Sequence, residues 1–436
     1  MGALSTVRLA GRPADLMRAA GLSVCGLLAL SAWLTTFGVT LTTLVLLIAL
    51  FYLLVRPEVR RDSMVVVATV WVLFIAARTL HPDPLQQDTV AARWHDAGSW
   101  LQLIAFLPVA WFVRGNIRHI SIILLLALTG LVLGLLFKSH WSDILNNPIH
   151  NRTGFHLTIA YSGFIHSIVI LGLIVFAPRL FQSPSLLLRL VWVLLLVLSS
   201  YAILVSQSRQ TWLMDSILIP LAMGAVYRSG LRSALQPARG TRWPALLAVS
   251  LILGLVALNH KLVVRRLHEE QTVVGSILAR QQPEQIPKTS FGYRYNVLVF
   301  GYRKWLERPW IGWGTGSSKY FIEHSGDPLL IYQEAGKPTT WLRHFHNLYL
   351  EILIRYGILG MAFCGAIALI LVKTLMRASK AGAIPPDYRV FFLASFAMMA
   401  VYSLFGFPLL HPDGRSFVIL FAGLAYSFHY RSTSSG

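Results

Sequence analysis

The stretch His119-Ile-Ser-Ile-Ile-Leu-Leu-Leu-Ala-Leu-Thr-Gly-Leu-Val-Leu-Gly-Leu-Leu-Phe137 decides the fold. Nineteen residues pass without an Asp, Glu, Lys or Arg. A hydrocarbon core about 30 Å thick takes roughly 20 apolar residues as a helix. Nothing in the stretch alternates with period two, as a barrel strand would. Similar runs occur at 20–37, 40–55, 63–80, 97–113, 156–177, 190–206, 212–227, 243–260, 347–373, 390–408 and 416–430. That makes about twelve transmembrane helices, the first two joined as a tight hairpin through Gly38. The expected fold is an all-α, polytopic integral membrane protein.

Composition points the same way. A chain of 436 residues is long enough for two or three soluble domains. Yet 55% of it is apolar, only 13% is charged, and the mean hydropathy is +0.60. A soluble domain carries about 25% charged residues. Disorder, collagen and a water-soluble enzyme are thereby excluded. Cys25 and Cys364 both lie in apolar runs, which suggests neither a disulfide framework nor a cysteine-based zinc site. Arg8, Arg12 and Arg18 before an apolar run resemble a signal peptide. The next span follows at once, so the expectation is an uncleaved first helix.

The net charge of +20 is unevenly placed. One set of short loops and tails, from Arg8 to Arg431, holds nineteen Lys and Arg. The opposite set holds only Arg78, Arg93, Lys138, Arg152, Arg209 and Arg415. Lys and Arg in short loops mark the cytoplasmic side, so both termini are expected there. A long polar insert, 261–345, falls on the other side with twelve Lys/Arg against seven Asp/Glu. Long loops translocate largely regardless of charge. Trp305, Trp310, Trp313 and Trp341 argue that the insert is folded. Within it, Arg294–Arg308 reads as an amphipathic helix stopped by Pro309, before a glycine-rich turn at Gly312–Gly316. The chain then divides into 1–260 (nine spans), 261–345 (a large, mostly helical outer loop domain) and 346–436 (three spans).

Several polar residues sit where chemistry at the outer face would need them. Arg209, in Ser206-Gln-Ser-Arg-Gln-Thr-Trp212, lies between two apolar runs. It reads either as an interfacial arginine snorkelling to headgroups or as an anion site for a lipid-linked phosphate. Arg294 is either a solvated arginine or a second clamp, since a pyrophosphate carries at least two charges. His346-Asn347 opens the tenth span. A neutral imidazole suits a proton acceptor, and a helix N-terminus disfavours its protonated form. The alternative is that Asn347 caps the helix and His346 is merely polar. His344 competes for the histidine role. Arg152, Arg343 and Arg308 are further cations of the same basic mouth. Asp215, inside the eighth span, is either functional or a structural partner of Arg209. Glu351 has the same ambiguity with Arg355 at i+4. Walker A, Asp-x-Asp and HExxH motifs are absent from the sequence, as are a chain of buried acids and a transporter-type repeat.

Taken together, these elements resemble the O-antigen ligases of Gram-negative bacteria, within the wider ligase/polymerase superfamily. His346, Asn347, Gly357 and Gly360 match the pattern His-Asn-x9-Gly-x-x-Gly. Arg294 and Leu298 match the Arg-x3-Leu of the large periplasmic loop, and Ser208-Arg209 the Ser-Arg at an outer helix junction. Glu307-Arg-Pro-Trp-Ile-Gly-Trp-Gly-Thr-Gly316 looks like the superfamily's Pro-x-x-Gly-x-Gly-x-Gly stretch. The resemblance implies a membrane-embedded, GT-C-like glycosyltransferase of the inner membrane with a periplasmic site and no metal or other cofactor. Its donor would be undecaprenyl-pyrophosphate-linked O-antigen and its acceptor lipid A-core oligosaccharide. Membrane lipids are the remaining expected partners, and nucleic acid is not one. His346 would be the general base, with Arg209 and Arg294 on the pyrophosphate. Arg152, Asn347, Arg343 and Arg308 are further substrate-binding candidates. An O-antigen polymerase, a protein O-oligosaccharyltransferase and a lipid-linked glycan transporter remain as alternatives at this point.

Overall fold

The computed structural model describes residues 3–35, 37–81, 89–142, 152–228, 242–268, 271–287, 289–324, 326–327, 330, 332–334, 337–339 and 344–433. Arg343 and Trp341 lie outside the described residues. The architecture is all-helical apart from one short antiparallel hairpin, Tyr332–Glu334 with Lys337–Thr339. Each expected span corresponds to a helix. In chain order these are α1 (Ala3–Ser31), α2 (Gly38–Val55), α3 (Ser63–Leu80), α4 (Val90–Val113, with one 3-10 turn), α5 (Ile117–Lys138) and α6 (Ile159–Leu180). They continue as α7 (Leu186–Ser206), α8 (Arg209–Arg228) and α9 (Arg242–Leu258). The insert contributes α10 (Ser290–Glu307) and α11 (Ser317–His324). The chain returns through α12 (Leu348–Lys380), α13 (Pro386–Tyr402) and α14 (Pro412–Tyr426).

Among the described residues, eight helices are long and apolar enough to cross a membrane: α1 to α7 and α12. The other four are shorter or more polar. Two of these lie deep in the bundle: α13 packs on α6 and α8, and α14 on the second half of α4. Helices buried by neighbours need less apolar surface of their own. The first hairpin differs from expectation. Helix α1 ends at Ser31, and Gly38 is the first residue of α2 rather than the turn. The Thr35 hydroxyl accepts the Phe37 N–H at 3.3 Å, a local bond that competes with helix continuation.

The insert packs onto α12. Tyr293, Val297, Phe300, Trp313, Phe321, Ile322, Leu330 and Phe345 share one buried cluster with Leu350 and Ile354. Beneath it lies a box of aromatic rings. Tyr356 meets Trp71 at 5.2 Å and Trp100 at 5.3 Å, both edge-on.

Helix α12 is two helices joined at Gly357, whose φ of 64° and ψ of −162° are not helical. That region of backbone space is essentially reserved for glycine. The break frees backbone groups on both sides, and the glycine-rich turn of the insert takes them. Trp313 N–H donates to Ile354 O (2.7 Å) and Gly314 N–H to Arg355 O (2.8 Å). In return Ile358 N–H donates to Pro309 O (2.8 Å) and Leu359 N–H to Trp310 O (3.1 Å). The Arg78 guanidinium closes the joint from α3 by donating to Gly312 O at 2.8 Å. Four backbone hydrogen bonds thus replace those that a straight helix would make internally, so the Ile354 and Arg355 carbonyls and the Ile358 and Leu359 amides are all paired.

A Cβ at Gly357 would lie 2.3 Å from the Trp310 carbonyl, and one at Gly312 would lie 2.6 Å from the Ile354 carbonyl oxygen. Gly357→Ala is therefore expected to destabilise the protein by more than the roughly 1–3 kcal/mol of the backbone conformation alone. Gly365→Ala, where the added carbon meets nothing within 4 Å, is the matched control and should leave stability unchanged or raise it. Thermal unfolding of the two variants in one detergent checks this.

Candidate active site

The segment before α12 is pinned on both sides of His346. The Asn347 side chain caps the helix, accepting from Leu350 N–H at 2.9 Å, while its amide donates to Leu404 O at 3.0 Å. Leu348 N–H donates to Ser403 O at 2.9 Å. On the other side Phe345 is fully buried, stacks on Phe300, and donates its N–H to a Glu351 carboxylate oxygen. Between these anchors His346 takes a left-handed backbone with φ of 52°. Its N–H donates to His344 Nδ1 at 3.1 Å, and the two rings lie 4.1 Å apart. Accepting at Nδ1 leaves the His344 proton on Nε2.

Burial pushes His346 down to about 2, assisted by His344 and by the Arg294 charge. Burial also pushes His344 down to about 3, with Arg355, His411 and Arg294 acting in the same direction. His411 is lowered by burial and by Arg415. The His344 and His346 imidazoles are therefore neutral throughout the physiological range. The sequence expects the helix N-terminus to help keep His346 neutral, and burial together with the Arg294 charge acts in the same direction.

Arg294 is the group that joins the motifs. From α10 it acts on both His344 and His346, and its charge also reaches the Tyr402 hydroxyl at the end of α13. Gln210 hydrogen-bonds that hydroxyl, and the Arg152 charge reaches it too. Arg209 opens α8 one residue before Gln210. The α7–α8 junction is a tight corner. Gln207 caps α7 with φ of 51°, and Thr211 Oγ1 donates to Ser208 Oγ at 2.9 Å. Arg152 Nε donates to Ser206 O at 2.8 Å, which ties the outer loop to this corner.

Other candidates are placed differently. Arg308 stacks on the Trp313 ring, 4.5 Å from its centroid, at the clasp that the Pro309–Gly314 turn forms with α12. The Asn347 side chain is occupied as a cap and a tether. Asp215 accepts from Ser167 Oγ at 2.8 Å, which makes Ser167 a partner the sequence did not suggest.

One further ion network was hidden from sequence reasoning. Arg355, nearly fully buried, makes its ion pair with Glu351 one turn away and a two-pronged one with Asp96 of α4 (2.9 and 3.2 Å). Arg355 Nη1 also donates to Ser318 Oγ at 2.8 Å, and Gly316 N–H donates to Asp96 at 2.8 Å. Asp96 and Arg355 are 259 residues apart, beyond any local pattern. The short polar run His411-Pro-Asp-Gly-Arg415 between two apolar spans was the available signal for His411.

Residues 194–365 match the family model described as O-antigen ligase. The match spans the central part of the chain, and what it shows is a likeness to that family over this segment. The matched segment contains Arg209, Arg294, the clasp and His346. Asp96, Arg152, Tyr402 and His411 lie outside the matched segment. No curated protein matches the chain.

Removing one partner of a buried ion pair costs about 3–5 kcal/mol, because the other charge is left without its counterion. Asp96→Ala is expected to lose an amount towards the lower end of that range, since Glu351 remains with Arg355. Chemical unfolding in detergent measures it. Asp215→Asn, distant from the histidines, should leave activity within a few-fold of wild type.

Proposed function

We propose that this multi-pass membrane protein transfers O-antigen polysaccharide from undecaprenyl pyrophosphate to lipid A-core oligosaccharide. The observation that carries the reading is the shared position of Arg294 and the neutral His346. A cation for the leaving group and a base for the nucleophile stand within electrostatic reach of each other. In this scheme His346 takes the proton of an acceptor sugar hydroxyl. The freed oxygen attacks the anomeric carbon of the donor sugar, and the bond from that carbon to the pyrophosphate oxygen breaks. Attack opposite the departing group inverts the anomeric centre. Charge builds on the pyrophosphate, and Arg209 and Arg294, with Arg152 behind them, stabilise it. Guanidinium forks suit phosphate geometry and supply the role that a metal ion plays in other transferases.

The Lys/Arg bias of the short loops supports cytoplasmic termini and a periplasmic site in the inner membrane of a Gram-negative cell. An acceptor and a donor that are both anionic lipids also account for a basic outer insert.

A base with so low a pKa is weak in the empty site. Donor binding changes that. Two or more phosphate charges beside Arg294 offset its field, and the pKa of His346 rises as the donor seats. In free protein the ring stays unprotonated, so kcat/KM should be flat from about pH 5.5 to 8, with no inflection near the ordinary histidine value of about 6.5. An acid limb centred there would show an exposed, ordinary imidazole and sink the assignment.

Purified protein, lipid-linked O-antigen and lipid A-core, incubated with EDTA, give the direct test. Wild type should place glycan on lipid A-core. His346→Ala should lose roughly 10²–10⁴-fold. Arg209→Ala and Arg294→Ala should raise KM for the donor and lower kcat. Elongation of the polyprenyl-linked glycan without transfer to lipid A-core would make the protein a polymerase instead.

A further inference from the structure

The insert carries an apolar surface that its own core does not use. Tyr302, Leu306, Trp310 and Ile311 are 53%, 52%, 67% and 42% exposed. Tyr302 and Leu306 lie one turn apart on the last half of α10, and Trp310 and Ile311 follow directly after Pro309. Single exposed hydrophobic residues are ordinary, but four within ten residues of a polar insert form a patch.

The clasp fixes where this patch stands. Ile358 and Leu359 donate their N–H groups to the Pro309 and Trp310 carbonyls, so the patch begins within one hydrogen bond of α12. The character of α12 changes at the same point. From Leu350 to Gly357 all but one residue are buried, whereas Ile358, Leu359, Leu369, Val372 and Met376 are exposed. At 1.5 Å per residue, the stretch from Ile358 to Lys380 is about 34 Å long, close to the roughly 30 Å of a hydrocarbon core. The full helix of 33 residues would be about 50 Å, far too long to lie within it. The helix therefore enters the acyl region near Ile358, and the Tyr302–Ile311 corner is level with that entry.

We propose that this corner is a membrane-interface anchor, resting in the headgroup and upper acyl region of the leaflet that faces the insert. Trp and Tyr are enriched at that depth because each pairs an apolar ring with a polar tip. Arg303, exposed beside Tyr302, gives the patch a cation for anionic headgroups. The partner is the lipid surface itself, continuous with the lipid that covers Ile358 and Leu359. Because α10 also carries Arg294, the anchor sets the height of that arginine above the bilayer.

Nitroxide accessibility tests the proposal independently of activity. Single-cysteine proteins (Ile311→Cys, Trp310→Cys, Lys319→Cys, Leu369→Cys) are made in a Cys25→Ala, Cys364→Ala background. They are spin-labelled and reconstituted in phosphatidylethanolamine–phosphatidylglycerol vesicles. Collision rates are read with oxygen, which partitions into lipid, and with a water-soluble nickel chelate. Lys319, exposed on α11, is the aqueous reference, and Leu369, exposed midway along α12, is the lipid reference. The oxygen-to-nickel ratio at 310 and 311 is expected to exceed that at 319 several-fold and to approach that at 369. A ratio equal to that at 319 overturns the anchor, because the patch then faces water. Exclusion of both probes overturns it too, because the patch is then covered by protein, such as a second copy of the chain.

Discussion

A helix that must break is the constraint on which the site depends. An uninterrupted α12 would carry its first turns straight out of the bilayer with every backbone group satisfied internally. The non-helical Gly357 exposes two carbonyls and two amides at that level, and burial makes each of them costly to leave bare. The Pro309–Gly314 turn supplies complements to all four. Insert and membrane helix are thus joined through main chain as well as through the buried side-chain cluster. The spacing of glycines in the two motifs has its physical reason here: Gly357 needs its backbone conformation, and both Gly357 and Gly312 need the absence of a Cβ for close approach.

Above that joint the charges are sorted. Glu351 and Asp96, carboxylates that would repel a phosphate, are both engaged by Arg355. Arg294 acts electrostatically on the neutral imidazoles of His344 and His346. The same burial that keeps His344 and His346 uncharged keeps the local dielectric low. A developing negative charge there interacts strongly with fixed guanidinium groups. Pairing with Arg355 offsets the charge of Glu351 and Asp96.

Much of this was legible in the sequence because it is periodic or local. Apolar runs located all twelve helices but not all their ends: α1 begins seventeen residues before its run and stops six short of its end, α4 begins seven residues early, α12 continues seven further, and α13 stops six short. The i,i+4 spacing of Glu351 and Arg355 foretold their pairing, and Asn347 foretold a cap. What stayed hidden is long-range or conformational. No pattern links Asp96 to Arg355, or Gln210 to Tyr402, because each partner is fixed by how helices pack. The break at Gly357 was invisible because glycine in an apolar run reads equally as a packing residue. Arg308 stacks on Trp313, a contact that the turn between them creates and that no sequence pattern announced.

The separation of the partners in sequence has a consequence for how the protein is made. Ribosomes add about 5–20 residues per second, so Arg355 emerges roughly 13–50 s after Asp96, the 259 residues between them setting the interval. During that time Asp96 waits at the membrane edge without its cation, and Arg78 without the Gly312 carbonyl. Tyr402 and His411 arrive later still. The site closes only after residues 344–411 have emerged, so a nascent chain stalled before them has the Arg152–Ser206 corner but lacks the histidines, Arg355 and Tyr402 that complete the constellation.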